Sequence, residues 1–498
     1  MRDKHTIKFN FKGGVISPGD LLQLVGIARA CGISDVSFGL RQQLLVDVPV
    51  EDYEKFIELI KQNQITNYEV NAEWYPNIMS SYPAEEIFSE KNWLSEGVYK
   101  DIFDSFSYQP RLKINISNNN QSFSPLLTGN INWVASNQQH FWYLIIRFPK
   151  TNTVYHWKEL VYTNELARVS QRVEQLMLGR EDDFIDNPAA HGDDLFDQVM
   201  ASQHFITKAM DAEIVYPGFA LPYYEGFNKY QDEKYWLGIY RRDEAFNVRF
   251  LEALCKLCLE SKLSQICSTP WKSIIIKGIE KKRRRPWDLL LGQYQINVRH
   301  AANELNFQLE DNCKAGLNLK LHIVAGLNKE DVRTFGLCIG IKTRRKSEVF
   351  SSILVRRKPL FSIAGIGFFF LYDILCAKDY NPNERTGFVY SRNIPKFLVT
   401  EHLRRAVVAY YKQRSLQDQD AKEASPVKPE RKIHLVKEVL QCGECLSVYD
   451  AVLGDAHNGI APGTAFKDLP SSYTCPVCEA GKSAFEVVKE GDLFTEAV

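Results

Sequence analysis

Two C-x-x-C pairs near the C-terminus, Cys442-Gly-Glu-Cys445 and Cys475-Pro-Val-Cys478, constrain this chain more tightly than any other feature. Each pair can form a tight turn that points two thiolates at one metal, and two such turns close a tetrahedral four-sulfur site. Spacing alone leaves a zinc ribbon and an iron site equally open. Seven of the eleven cysteines lie elsewhere. Cys255 and Cys258 form a third pair inside FLEALCKLCLE, whose apolar residues recur at helical spacing. With Cys267 they lack a fourth ligand at a suitable distance, so buried free thiols are expected there. Nothing in the pattern matches a secreted disulfide framework.

At 498 residues the chain is too long for one small core, and roughly two to four structural units are expected. Lys+Arg and Asp+Glu balance at 61 each, so no global field favours nucleic acid or an anionic membrane. The N-terminal MRDKHTIKFNFKGG lacks the apolar stretch of a secretory signal. The long apolar run from Leu360 to Ala377 carries Asp373 and follows Arg356, Arg357 and Lys358. It is barely long enough to cross a bilayer, and a fully buried strand or helix is expected. These features place the protein in the cytoplasm, with neither nucleic acid nor membrane as partner.

The stretch Gln413 to Lys432 is polar, charged and broken by Pro426 and Pro429, as a mobile linker is. The expected division is an α/β body over residues 1–412, a linker over 413–434 and a small metal domain over 435–490. Within the body, two segments share a strand–helix–strand pattern, one starting near residue 10 and one near 235. In the first, Ser17 caps a helix over Asp20–Ala30, with Pro18 at the first helical position and Gly32 as the stop. The alternating strand DVSFGLRQQLLVDVP follows. In the second, a strand at Tyr235 leads into the cysteine helix and then the strand SIIIKGI. Further strands are expected at RLKINIS, FWYLIIRF and LKLHIVAG. A pseudo-symmetric α/β (α+β) body follows from the repetition.

Between the C-x-x-C pairs the sequence resembles the rubredoxin family over nearly its full length. The matching residues are Tyr449-Asp450, Gly454-Asp455, the run Asn458 to Thr464, Phe466, Asp468-Leu469-Pro470 and Cys475-Pro476-Val477-Cys478, with Lys482 and Phe485 beyond. Tyr449, Phe466, Tyr473 and Phe485 can build an aromatic core too small to stand without its metal. The resemblance implies one iron on Cys442, Cys445, Cys475 and Cys478, closed to substrate and passing single electrons. Three positions depart from the family: Leu446 and Glu479 stand where glycine follows each pair, and Tyr473 where tryptophan is usual. A side chain at a left-handed turn position carries strain.

The first repeat, GGVISPGDLLQLVGIARACG with Arg41-Gln42 on the next strand, resembles the ferredoxin-like half-domain of siroheme nitrite and sulfite reductases. In that family the arginine faces the haem and its anionic substrate, which makes Arg41 the candidate cofactor or substrate contact. Thr269-Pro270-Trp271-Lys272 is the weaker counterpart in the second repeat. Active members hold a four-iron cluster on Cys-x5-Cys and Cys-x3-Cys. Here His300 and Asn306 flank the persisting Asn303-Glu304, and Leu327 and Asp331 fill the second motif. No thiolate remains, so the four-iron cluster and siroheme are both expected to be absent. Cys313 and Cys338 are out of register and expected to be buried. His300 reads as a hydrogen-bonded structural residue ahead of a haem ligand. The basic runs Lys281–Arg285, Arg344–Lys346 and Arg356–Lys358 read as solvated charge ahead of a docking face.

Together these features indicate an iron-binding electron-transfer protein, a carrier more than a catalyst. Its body would dock a redox protein partner, a reductase or an electron donor, in nitrite or sulfite assimilation. The alternatives are a tetrapyrrole-binding nitrite or sulfite reductase with the tail as internal donor, and a zinc-stabilised scaffold.

Overall fold

The computed structural model describes residues 3–90, 92–231, 233–344, 349–363, 366–384, 386–424 and 438–489. The chain divides into two compact units, Met1–Ser415 and Leu416–Val498.

In the first unit the helix Pro18–Ala30 begins where Ser17 Oγ accepts hydrogen bonds from the amides of Gly19 and Asp20, at 3.1 and 3.3 Å. Gly32, at φ +71°, follows its end. It buries Leu21, Leu24, Val25 and Ala28 against the helix Val248–Glu260, which buries Leu251, Leu254, Cys255 and Cys258. The cysteine pair therefore sits in an apolar helix face, and burial pushes the Cys255 thiol up to about 12.

The segment expected as one long strand is a hairpin, Asp35–Phe38 and Leu44–Pro49, with Phe38 opposite Leu44. A tight turn splits it: Gly39 N donates to Gln43 O, Gln42 N donates to Gly39 O, and Gln42 takes φ +61°. The second segment repeats the device between Ile266–Ser268 and Ile274–Glu280. There Thr269 N donates to Ser273 O, Lys272 N donates to Thr269 O, and Lys272 takes φ +54°. Arg41 and Trp271 thus occupy the same turn position. In the first segment the alternation of Val36, Phe38 and Leu40 leads into the turn and apolar residues resume at Leu44, which is why it conceals that turn.

Each hairpin belongs to a five-stranded sheet that ends on a short strand from the other segment. One sheet runs Tyr68–Val70, Lys4–Phe9, Leu44–Pro49, Asp35–Phe38, Phe246–Asn247; the other runs Gly226–Gln231, Lys234–Ile239, Ile274–Glu280, Ile266–Ser268, Val15–Ile16. A shared apolar core joins them. Two further sheets complete the unit, one within residues 79–209 and one of five strands from Phe307–Leu309 to Gly387–Ile394.

Two strand expectations are corrected here. LKLHIVAG lies inside the helix Lys314–Lys329, with Leu319, Ile323, Val324 and Leu327 buried and Leu321 and His322 exposed. The four-residue recurrence of the buried set outweighs the local alternation. The apolar run from Leu360 is not fully buried: it forms parts of the paired strands Ile353–Ile363 and Ile366–Ala377, and Leu360, Phe361 and Phe369 are exposed. Beyond Tyr372 the next strand no longer accompanies the hairpin, so its outer half lacks cover. Among the described residues, no helix is long and apolar enough to cross a membrane.

The helix starting at Val399 continues to Ala424, so residues 413–424 of the expected linker are helical. Residues 425–434, and 435–437 and 490 of the expected metal domain, lie outside the described residues. The second unit holds a three-stranded sheet, Val448–Tyr449, Glu438–Cys442 and Phe485–Lys489. Tyr449, Leu469 and Tyr473 are buried at its centre, with Phe466 and Phe485 packed on them.

Candidate metal centre

Each C-x-x-C pair sits in a backbone knuckle of the same design. In the first, Cys442 N donates to Ser447 O at 2.8 Å and Leu446 N donates to Cys442 O at 2.9 Å. In the second, Cys475 N donates to Ala480 O at 2.8 Å and Glu479 N donates to Cys475 O at 2.9 Å. Both knuckles close through a left-handed residue, Leu446 at φ +60° and Glu479 at φ +63°. The expected strain positions are therefore real ones, held by these bonds.

The knuckles bring the four Sγ atoms within 4.8 Å of one another. Cys442 and Cys478 Sγ are 3.6 Å apart, and Cys445 and Cys475 Sγ are 3.5 Å apart. A tetrahedral ion about 2.3 Å from each sulfur requires separations of about 3.8 Å, so the set fits one ion and leaves no open position. Among the described residues this is the group of His, Cys, Asp or Glu side chains close enough to hold a metal. Cys442 and Cys475 are buried, whereas Cys478 is exposed.

Polar groups aim at the sulfurs. Ser447 Oγ lies 3.2 Å from Cys445 Sγ and 3.1 Å from Cys475 Sγ. The hydroxyl and amide of Ser447 hold Cys445 below the usual thiol range. Partial burial pushes the Cys475 thiol up. The Ser447 hydroxyl and the amides of Cys478 and Val477 outweigh that and bring it down to about 6. These two sulfurs are favoured as thiolates, the form that binds metal. At Cys478 the Ala480 amide lowers the thiol, but burial and the three neighbouring sulfurs outweigh it and push it up to about 12. The cysteine spacing does not single out Ser447; its signal is a hydroxyl residue two positions past Cys445.

The loop between the pairs is pinned from within. Asp455 accepts from the amides of His457 and Asn458, from Asn458 Nδ2 at 2.7 Å and from Tyr473 OH at 3.0 Å. Lys482 Nζ donates to Leu469 O at 2.6 Å above the Phe466 ring. A Cβ on Gly454, at φ +67°, would meet the carbonyl oxygens of Ala461 and Ile460 at 2.6 Å, so glycine is required there.

Residues 439–485 match the family model described as Rubredoxin. The C-terminal unit carries a rubredoxin-type iron site. Over 57 residues it is 54% identical to "High molecular weight rubredoxin" of Moorella thermoacetica, covering 11% of this chain and 25% of that protein. Over 49 residues it is 43% identical to "Anaerobic nitric oxide reductase flavorubredoxin" of an Enterobacter species, covering 10% of each. The chain thus spans a quarter or less of the length of these relatives. The body was compared through its fold: the chain superposes on a solved structure of the Mycobacterium tuberculosis NirA protein with TM-score 0.60 and 13% identity. That match covers 81% of this chain and 80% of the other, so the two proteins share a fold.

The residues aligned by resemblance to the reductase cluster motifs do not fit a thiolate-bound cluster. His300 is buried, its Nδ1 2.7 Å from Glu225 Oε1 and its amide donating to Glu225 Oε2 at 2.6 Å. Asn306 Nδ2 donates to Thr334 O at 2.5 Å, and Thr334 Oγ1 donates to Asn303 Oδ1 at 3.0 Å. Asn303 Nδ2 donates in turn to Val332 O at 2.6 Å. Glu304 pairs with Arg242 at 2.5 Å, Leu327 is core and Asp331 is exposed. Cys338 is buried as expected. Cys313 is only half-buried, because it caps the helix Lys314–Lys329 and accepts from Gly316 N at 3.3 Å.

Arg41 is buried and donates to Asn77 O, Ile114 O and Asn115 Oδ1 at 2.8 to 3.2 Å. It also lines a cavity of about 1080 Å³, with Lys8, Lys113, Lys314 and Arg344 beside Glu73, Glu310 and Asp311. Its counterpart Trp271 is buried and donates to Phe123 O at 2.7 Å. Lys281 to Arg285 sit on a surface turn and the start of a helix, with Lys282 and Arg283 near Glu280. Arg356 and Lys358 share Asp373, each at 2.9 Å. Arg345 and Lys346 lie outside the described residues.

Proposed function

We propose that this protein is a one-electron carrier, with residues 435–490 as its iron domain and residues 1–412 as a body that docks a redox protein partner. The closed four-sulfur set carries the proposal: four thiolates that must stay bound leave no position for substrate, and they need hardly move on a change of one electron. When bound, the iron supplies reversible ferric–ferrous exchange. The knuckle bonds hold the ligands still, and exposed Cys478 sets the contact edge. The reductase-like fold supports a partner in nitrite or sulfite assimilation, in the cytoplasm. The matching turns at Arg41 and Trp271 support descent of the two half-domains from one pseudo-symmetric unit.

The cavity beside Arg41 favours a second reading, in which the body binds a tetrapyrrole and Arg41 faces its anionic ligand. One experiment separates the two: a visible spectrum of the isolated protein before and after dithionite, with metal analysis. Ferric-thiolate bands that bleach reversibly, with one iron per chain, support the carrier. Added tetrapyrrole bands support the second reading, and zinc without colour defeats both iron readings and leaves a scaffold.

A further inference from the structure

We propose that the side-chain hydroxyl of Ser447 sets the reduction potential of the iron site, holding it higher than the backbone alone would. The inference rests on the electron-carrier reading. Backbone amides reach the ligand sulfurs from both knuckles, and any sequence with this fold supplies them. Ser447 adds a donor that belongs to this side chain. Its Oγ stands 3.2 Å from Cys445 and 3.1 Å from Cys475, sulfurs from different knuckles that are themselves 3.5 Å apart. Against ionised thiolates the hydroxyl is the donor, and its single proton is shared between the two. Among the described residues, Ser447 supplies the side-chain hydroxyl contact to these four sulfurs.

The sign follows from charge. With four thiolates, the ferric site carries one net negative charge. An electron from a donor protein makes it two, and no bond is made or broken. The added charge spreads onto the sulfurs. A hydroxyl dipole pointing at two of them stabilises the doubly charged state more than the singly charged one. Ser447 is half-buried, so water does not fully screen that dipole. It acts through the ligands and is a positioning residue for electron transfer.

The test is a spectroelectrochemical titration of the full chain as wild type, Ser447→Ala, Ser447→Thr and Ser447→Val, read at the ferric-thiolate band. Loss of the hydroxyl should shift the ferric–ferrous equilibrium toward ferric by about tenfold, equivalent to 59 mV for one electron. Thr should stay within about threefold of wild type, and Val should follow Ala. The Thr and Val pair has one shape, so it decides the matter even if Ala loses iron. Equal potentials for Thr and Val would overturn the proposal while leaving the carrier intact. A wild-type protein without a reversible ferric-thiolate band would overturn both.

Discussion

Glu479 offers a direct measure of the strain held in the second knuckle. It sits at φ +63°, its side chain is exposed, and its amide closes the turn onto Cys475 O. A residue with a Cβ in this region carries about 1–2 kcal/mol that glycine does not. Glycine forfeits about 0.5–1 kcal/mol through its freer unfolded chain. Glu479→Ala removes the carboxylate and keeps the Cβ, so comparing Glu479→Gly with Glu479→Ala cancels the change of charge. The Gly variant should be the more stable by about 0.7 kcal/mol, the difference of those two effects. For a domain this small, at about 2 kcal/mol per molar guanidinium, that moves the midpoint by about 0.3–0.4 M. The assay is guanidinium unfolding of the full chain, followed by loss of ferric-thiolate absorbance. A Gly midpoint equal to or below that of Ala would show that the knuckle stores no such strain. Leu446→Gly should behave alike but gain less, because a third of the leucine side chain is covered in the fold.

Cys475→Ala should abolish iron binding and with it the stability of the C-terminal unit; retention of one iron per chain would refute the ligand assignment. In the body, burial lowers the Lys320 ammonium to about 8 beside Tyr240. The unfolded chain keeps that proton up to about 10.4. Stability therefore rises with pH through that window, by about 3 kcal/mol relative to Lys320→Met. Parallel pH profiles for the two proteins in chemical denaturation would contradict this. Glu225→Ala leaves both the ring and the amide of buried His300 without their acceptor and should cost about 3–5 kcal/mol. Glu225→Gln keeps one acceptor and should cost less; equal losses would mean the pair contributes through packing alone.

The metal site was legible because its chemistry is local. Cys442, Cys445, Cys475 and Cys478 declare the ligands, and the glycines and aromatics between them declare the loop. The helix at Pro18 was legible for the same reason, since its cap is three residues long. What failed was alternation read without a turn signal. Gln42 adopts the left-handed conformation with no glycine or asparagine to mark it, so two strands read as one. LKLHIVAG alternates for four residues inside a helix whose buried set only emerges over nine. The strand order of the two hairpin sheets, in which each segment closes the other's edge, depends on pairings more than two hundred residues apart, such as Ile16 with Ile266. No local pattern encodes those.

The residues that the resemblance places at the cluster positions make contacts here that need no cluster. His300, Asn306 and Leu327 lie in the interior, where each polar group needs a partner, whereas Asp331 is exposed. A cysteine left without metal in that interior would stay a neutral thiol, because burial disfavours the thiolate, and a thiol is a weak partner for the polar groups around it. His300 instead meets a carboxylate at two points, and Asn303, Asn306 and Thr334 satisfy one another and the nearby carbonyls. Leu327 turns another of the positions into core. A polar network satisfied from within needs no prosthetic group to be stable. Restoring the four cysteines alone would therefore not restore a cluster site. Glu225 would keep its burial and lose its histidine, and the Thr334 carbonyl would lose its Asn306 donor, so the substituted body should lose stability before it gained any metal.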